Sequence, residues 1–285
     1  MGEGAAAASR GGGPGPGVKL LAVAVEGRGL VDPAEPVFRA DDEALLRGSA
    51  AFETLPVYGG EPFELGRHLD RLRGSLPTLG LAPLDAGSAE SLVELLVAEV
   101  GGDFVLRLYR TEAAFVATAA PIPAGIDDLR ARGLRMHVIE TGLPAALVAG
   151  AKATSYALAL AALREAERNG RDDALFVADG IVLEAPMSNI WWRRGDVLST
   201  PATGPGVLPG VTRAVTRELA VAAGLEVRED RYPLTELAGA EEVFTTSSVR
   251  EVMPVVSIDD AVVGDGRPGP VAARLQEALR LRSRR

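Results

Sequence analysis

The chain is 285 residues long, 47% hydrophobic and acidic, with a net charge of −9 and a pI near 5.0. That length accommodates one large or two medium domains, and the acidic balance argues against a nucleic-acid binder, which needs clustered Lys and Arg on one face. There is no cysteine and there are two histidines, His68 and His137, which excludes disulfides, thiolate nucleophiles and Cys-ligated metals and leaves too few ligands for an all-histidine zinc site.

Residues 1–17 (MGEGAAAASRGGGPGPG) carry no apolar core behind a positive end, so they read as a disordered leader and not as a secretion signal. No run approaches the roughly 18 apolar residues that span a bilayer, and the expected compartment is the cytoplasm. A first strand is expected over 18–25 and a second over 50–58. The second is closed by Gly59-Gly60, two residues free to take positive φ in a tight turn. Leu69, Leu72, Leu76 and Leu79 recur at 3–4 spacing and predict a helix over 68–81 packed on one face. Another helix is expected over 88–100, opened by Ser88 with Glu90 in its first turn. A strand pair over 104–109 and 114–119 follows, and APIPAG (120–125), with two prolines, reads as a linker. Beyond it the pattern gives strands over 134–140, 174–177, 182–184, 190–192, 196–199 and 242–245, and helices over 156–169, 212–223 and 271–281. Strands and helices mix without strict βαβ alternation, which indicates an α+β fold. The expected division is a small N-terminal domain at 18–120, a linker at 121–126 and a larger C-terminal domain at 127–285.

Of thirty Lys and Arg residues, two are lysine, Lys19 and Lys152. Lys19 follows the leader and reads as surface charge. Lys152 interrupts the apolar run AALVAGAKATSYALALAA (145–162). An arginine there carries charge but never loses its proton, whereas a desolvated lysine can become the neutral amine that Schiff-base chemistry with a carbonyl requires. A lysine snorkelling from the end of an element is the plain alternative. Downstream, Glu184 in VLEAPMSNIWW lies on a turn between strands, where a solvated carboxylate is the ordinary reading. GVLPGVTR (206–213) runs a Gly/Pro loop into a helix, so the amides of Val211 and Thr212 make an anion site at the helix N-terminus, or else Thr212 simply caps it. TTSSVRE (245–251) is a second turn of small hydroxyls, an ordinary cap on the plain reading.

In this order and spacing, the lysine, the glutamate, the anion cup and the hydroxyl turn resemble the class IV pyridoxal-phosphate aminotransferases, the fold type IV enzymes. That family includes branched-chain aminotransferases, D-amino acid aminotransferases and aminodeoxychorismate lyases. The upstream stretch FETLPVYGGEPFELGRHLDRL (52–72) is similar to its N-terminal signature. The resemblance implies a smaller N-terminal α/β domain, a larger mixed α/β barrel-like C-terminal domain, and pyridoxal 5'-phosphate at their interface. By position it makes Lys152 the amine that bonds the cofactor aldehyde and later shuttles the substrate's α-proton. It makes Glu184 the partner of the pyridine nitrogen and gives the phosphate to Arg71, Val211, Thr212 and Ser248. Ser188 and Asn189 fall on the cofactor-binding turn, Asn189 in a structural role.

The compact hairpin and the HLDRL helix resemble the D-amino acid aminotransferase and lyase branches more than the branched-chain one. The D-amino acid branch traps the substrate carboxylate with an Arg and a His near Arg110 and with a Tyr at the position of Phe52. Here Phe52 replaces that Tyr and no histidine stands near Arg110. The substrate-binding candidates are therefore Phe52, Arg107 and Arg110, with a strand-edge surface charge as the alternative for Arg107. Tyr156, four residues after Lys152, either reaches the site along a helix or belongs to the core. The resemblance implies a D-amino-acid:2-oxo-acid transaminase, extending to some chiral (R)-primary amines, built as a homodimer and needing no metal. The other readings are an aminodeoxychorismate lyase forming 4-aminobenzoate and pyruvate, and a vitamin B6 carrier without turnover.

Overall fold

In the computed structural model, which describes residues 19–143 and 146–284, the chain builds two sheets and seven α-helices. The expected leader at 1–17 lies outside the described residues. The first sheet holds β1 (Ala22–Val25), β2 (Gly29–Val31), β3 (Ala51–Tyr58), β4 (Glu61–Pro62), β5 (Phe104–Arg110) and β6 (Phe115–Ala120), in the order β2-β1-β6-β5-β3-β4. Every pairing in it is antiparallel. A short α1 (Glu43–Arg47) precedes β3, and α2 (Leu65–Thr78) and α3 (Ser88–Val100) pack on the sheet.

Leu69, Leu72 and Leu76 form the buried stripe of α2, meeting Leu92 and Leu96 of α3 and Leu55, Leu106 and Leu108 of the strands in one core. The helix starts at Leu65, earlier than the 68–81 expectation, and ends at Thr78 just past Pro77. The ring of Pro77 removes a backbone donor but is tolerated in a last turn that is already ending.

The second sheet has nine strands and mixed pairing. Its elements are α4 (Ile126–Arg132), β7 (Leu134–Glu140), α5 (Ala157–Arg168), β8 (Asp173–Ala178), β9 (Ile181–Val182), β10 (Asn189–Arg194), β11 (Val197–Pro201), α6 (Val211–Ala222), β12 (Glu226–Asp230), β13 (Glu242–Ser247), β14 (Glu251–Ile258), β15 (Ala261–Val262) and α7 (Pro270–Arg282). The strand order is β12-β11-β10-β13-β14-β7-β8-β9, with β15 attached to β14. Parallel pairs cannot be joined by hairpins and need crossovers. Accordingly α5 links the parallel pair β7 and β8, and α6 links β11 and β12.

Three elements depart from the sequence expectation for identifiable reasons. The end of the expected linker is taken up by α4, whose sequence IDDLRAR offers just Ile126 and Leu129, half-buried against the second core, too short an apolar pattern to signal a helix. β14 contains Pro254, which argues against an interior strand; it nonetheless lies between β13 and β7, with a register shift between Val255 and Ser257. The apolar run around Lys152 is not a buried segment: Lys152 lies between the short helical turn Ala146–Val148 and α5, and Leu147 is 87% exposed.

Candidate active site

A cavity of about 270 Å³ opens between the two sheets. Successive strand residues face opposite sides, and β3 and β5 present Phe52 with Tyr109 and Thr54 with Arg107 as cross-strand pairs on the cavity face. Arg110, an odd number of residues from Arg107, turns the other way and pairs with Glu26 at 3.4 Å. Of the residues expected from the sequence, all but Arg110 line this cavity: Phe52, Arg71, Arg107, Lys152, Glu184, Ser188, Asn189, Val211, Thr212 and Ser248. Strand alternation thus leaves Arg110 outside the lining of its own chain's cavity.

Lys152 reaches the cavity from a segment sewn to β3. Its carbonyl accepts from Phe52 N–H at 3.0 Å, and Thr154 N–H donates to the Ala50 carbonyl at 2.9 Å. Its Nζ lies 3.4 Å from the Tyr156 hydroxyl and 4.6 Å from the centre of the Phe52 ring. Tyr156 meets Phe52 edge-on with centroids 5.4 Å apart, and Phe52 stacks on Tyr109 at 6.2 Å. The tyrosine thus does reach the site, through the loop that precedes α5 and not along a shared helix.

Glu184 sits on the turn between β9 and β10. Asn189 Nδ2 donates to its Oε2 at 2.8 Å and Leu208 N–H to the same oxygen at 3.0 Å. Asn189 Nδ2 also donates to the Leu208 carbonyl at 2.9 Å, so Asn189 ties the Glu184 turn to the loop before α6. Burial pushes the Glu184 carboxyl up to about 8, although the Leu208 N–H and the charges of Lys152 and Arg71 pull it down. A carboxyl in that setting needs a proton or a cationic N–H to face. Asn189 is packed against Gly210, where a Cβ would stand 2.1 Å from Asn189 Oδ1. This is a close approach that glycine permits.

Gly210 is also the N-cap of α6, and no side chain caps that helix. The first N–H groups of a helix have no intrahelical partner and carry the positive end of its dipole. Val211 and Thr212 line the cavity together with Thr246, Ser247 and Ser248, three residues that bear hydroxyls. The Ser247–Arg250 turn is pinned from behind: Arg250 Nη1 donates to Asp173 at 2.7 Å and Arg130 Nη2 donates to the Arg250 carbonyl at 2.9 Å.

Arg71 projects from α2 and is held by Glu53, to which its Nε and Nη2 both donate at 2.7 Å. Its Nη1 donates to the Pro209 carbonyl at 3.1 Å, next to the α6 cap. Burial pushes Glu53 up, but the bonds and charge of Arg71, with a bond from His68 Nδ1 at 2.7 Å, outweigh it and hold the carboxyl at about 2. Burial in turn holds His68 below its ordinary range, so at neutral pH the imidazole is uncharged. Glu53 went unnoticed in the sequence, as did Thr54 and Tyr109. The signal for the last two was available, since each stands two residues from a named candidate on the same strand. Among the described residues there is no cluster of His, Cys, Asp or Glu able to hold a metal ion, and no helix long and apolar enough to cross a membrane.

The chain belongs to the class IV aminotransferases: the family model matches residues 50–258, well over half of its length. It is 31% identical over 265 residues to the bifunctional aminodeoxychorismate lyase / D-amino acid transaminase of Mycobacterium tuberculosis, covering 84% of this chain and 91% of that one. An aminotransferase from the same organism, solved in a PLP-bound form, superposes with a TM-score of 0.84 at 28% identity, covering 92% of this chain and 98% of the other. The branched-chain amino acid aminotransferase from Escherichia coli gives a TM-score of 0.80 at 25% identity, with 91% and 93% covered. The fold is that of the fold type IV enzymes, and the cofactor is pyridoxal 5'-phosphate. The donor set fits that group. It joins an amine, a desolvated carboxyl suited to a protonated ring nitrogen, and an uncapped helix end with hydroxyls suited to a phosphate.

Proposed function

We propose that this chain is a transaminase that moves an amino group from a D-amino acid, and from some (R)-primary amines, to a 2-oxo acid. The observation that carries the reading is one cavity holding the Lys152 amine, the Glu184 carboxyl and the open N-terminus of α6. When bound, pyridoxal phosphate supplies a carbonyl and an electron-accepting ring that stabilises negative charge at a substrate α-carbon. Lys152 would hold the cofactor through Nζ, and its amine would carry the proton lost by the substrate's α-carbon. Glu184 has Oε2 committed to Asn189 and Leu208, which leaves Oε1 to accept the pyridine N–H and keep that nitrogen protonated. The Val211 and Thr212 amides, the Ser248 hydroxyl and the remaining Arg71 donors take the phosphate.

Arg107 faces the substrate carboxylate, with Thr54 opposite it on β3. Phe52, Tyr109 and Tyr156 keep water from Nζ and shape the space beside it. The D-amino-acid direction is supported by the mycobacterial relative and by the compact Gly59-Gly60 hairpin. A lyase outcome is the second reading, since that relative's name carries both activities. The deciding experiment incubates the protein with D-alanine and 2-oxoglutarate. Formation of D-glutamate and pyruvate is expected. Aromatisation of aminodeoxychorismate without transamination would establish the lyase, and a bound cofactor whose colour no amine alters would establish a carrier.

The second half of this reading is a homodimer. Leu45 and Leu46 of α1 and Leu147 and Leu158 around Lys152 are exposed, on segments that touch where Thr154 Oγ1 donates to the Gly48 carbonyl at 3.0 Å. Apolar surface grouped in this way favours a partner. Light scattering that returned a monomer would contradict it.

A further inference from the structure

Ser75 is 1% exposed and does not line the cavity. It lies on the face of α2 that buries Leu69, Leu72 and Leu76, a place where a hydroxyl must find partners. One is ordinary: its Oγ donates to the Arg71 carbonyl four residues back at 2.9 Å, a common way for a helical serine to satisfy itself. The other is not. The backbone N–H of Lys152, 77 residues away in sequence, donates to the same oxygen at 3.1 Å.

The Lys152 peptide is therefore fastened on two sides, through its carbonyl to Phe52 of β3 and through its N–H to α2. Ala153 adds an isolated bridge to Ala51. The segment otherwise has no regular structure of its own to fix it. Ser75 also stands one helical turn from Arg71, so a single helix carries the arginine and holds the backbone of the lysine, both of which line the cavity.

We propose that Ser75 is a positioning residue for Lys152, acting through the lysine's backbone N–H and not by touching substrate or cofactor. A backbone tilt at the lysine Cα is carried along four methylenes to Nζ, and a misplacement of about 1 Å at a reacting atom costs up to about 100-fold in rate. The hydroxyl removes that tilt. The inference rests on Lys152 being the amine that holds the cofactor.

Ser75→Ala tests it, because alanine is a better helix former than serine and introduces no bulk. Three readouts are taken: the hydrogen exchange of the Lys152 amide in cofactor-free protein, the pH midpoint of the bound cofactor's visible band, and kcat against KM. Ser75→Ala is expected to expose the Lys152 amide to exchange, shift the spectral midpoint, and lower kcat about tenfold or more with KM within about twofold. Ser75→Thr, which keeps the hydroxyl, is expected to restore the midpoint. Should Ser75→Ala fail to fold, Ser75→Cys carries the same comparison through its weak sulfur acceptor. A folded variant with wild-type midpoint and kcat overturns the inference, even if its melting temperature falls. Borohydride trapping separates this from the underlying reading. A tag on Lys152 with a silent Ser75→Ala removes the positioning role alone, while a tag elsewhere removes both.

Discussion

Replacing Glu184 by Gln turns the burial of one carboxyl into a measurable pH dependence. Desolvation raises this group from its ordinary 4.5 to about 8 in the cofactor-free protein, with Leu208, Lys152 and Arg71 opposing. For a folded-state pKa above the unfolded one, the contribution to stability is complete below the unfolded value. It is then lost as pH rises through the folded value, because the unfolded chain releases its proton first. At about 1.4 kcal/mol per pH unit, the loss between 4.5 and about 8 amounts to about 3–5 kcal/mol. Glutamine never ionises and keeps an oxygen for the Asn189 and Leu208 donors. Urea unfolding of both cofactor-free proteins is expected to give nearly equal stabilities at about pH 5. The variant should lead by about 3 kcal/mol or more at about pH 8.5. Adding pyridoxal phosphate should reverse that order at the higher pH, since the wild-type carboxylate then meets a cationic ring nitrogen. A stability difference that stayed constant across pH would refute the argument, because it would mean that Glu184 is solvated in the fold.

Arg107→Leu is expected to lower kcat/KM for carboxylate-bearing donors by about 10–100-fold, the worth of a charge-assisted bond of about 1.5–3 kcal/mol. Arg110→Leu, whose side chain pairs with Glu26 away from its own cavity, should change it by less than about threefold; steady-state kinetics on the two variants, with the reverse ranking, would undo the assignment of Arg107. Gly210→Ala places a methyl against Asn189 Oδ1 and should cost about 1–3 kcal/mol of stability. It should also weaken cofactor binding, read by absorbance titration; an unchanged affinity would mean that Asn189 does not hold Glu184 in place.

Much of the first sheet was legible because its signals are periodic. The leucine spacing of α2 and the strands read over 50–58 and 104–109 gave the elements that carry Arg71, Phe52 and Arg107. The site residues were found through motif order, which places chemistry on loops without needing to know how the loops fold. What escaped has a physical reason in each case. Arg110 stands outside the lining because a motif gives a residue but not the face of the strand it occupies. α4 signals itself by one apolar pair alone, Ile126 and Leu129, and β14 carries a proline that argues against a strand. Glu53 and Ser75 act through partners 15 to 77 residues away, and no local pattern records a pairing of that kind. The apolar run at Lys152 suggested burial, whereas its leucines are turned outward.

The most direct test of the whole account is borohydride reduction of the cofactor-loaded protein followed by peptide mapping. The pyridoxyl tag is expected on the peptide containing Lys152, with no tag in Lys152→Ala. Recovery of the tag on Lys19, or of none at all from a protein that has bound pyridoxal phosphate, would contradict it.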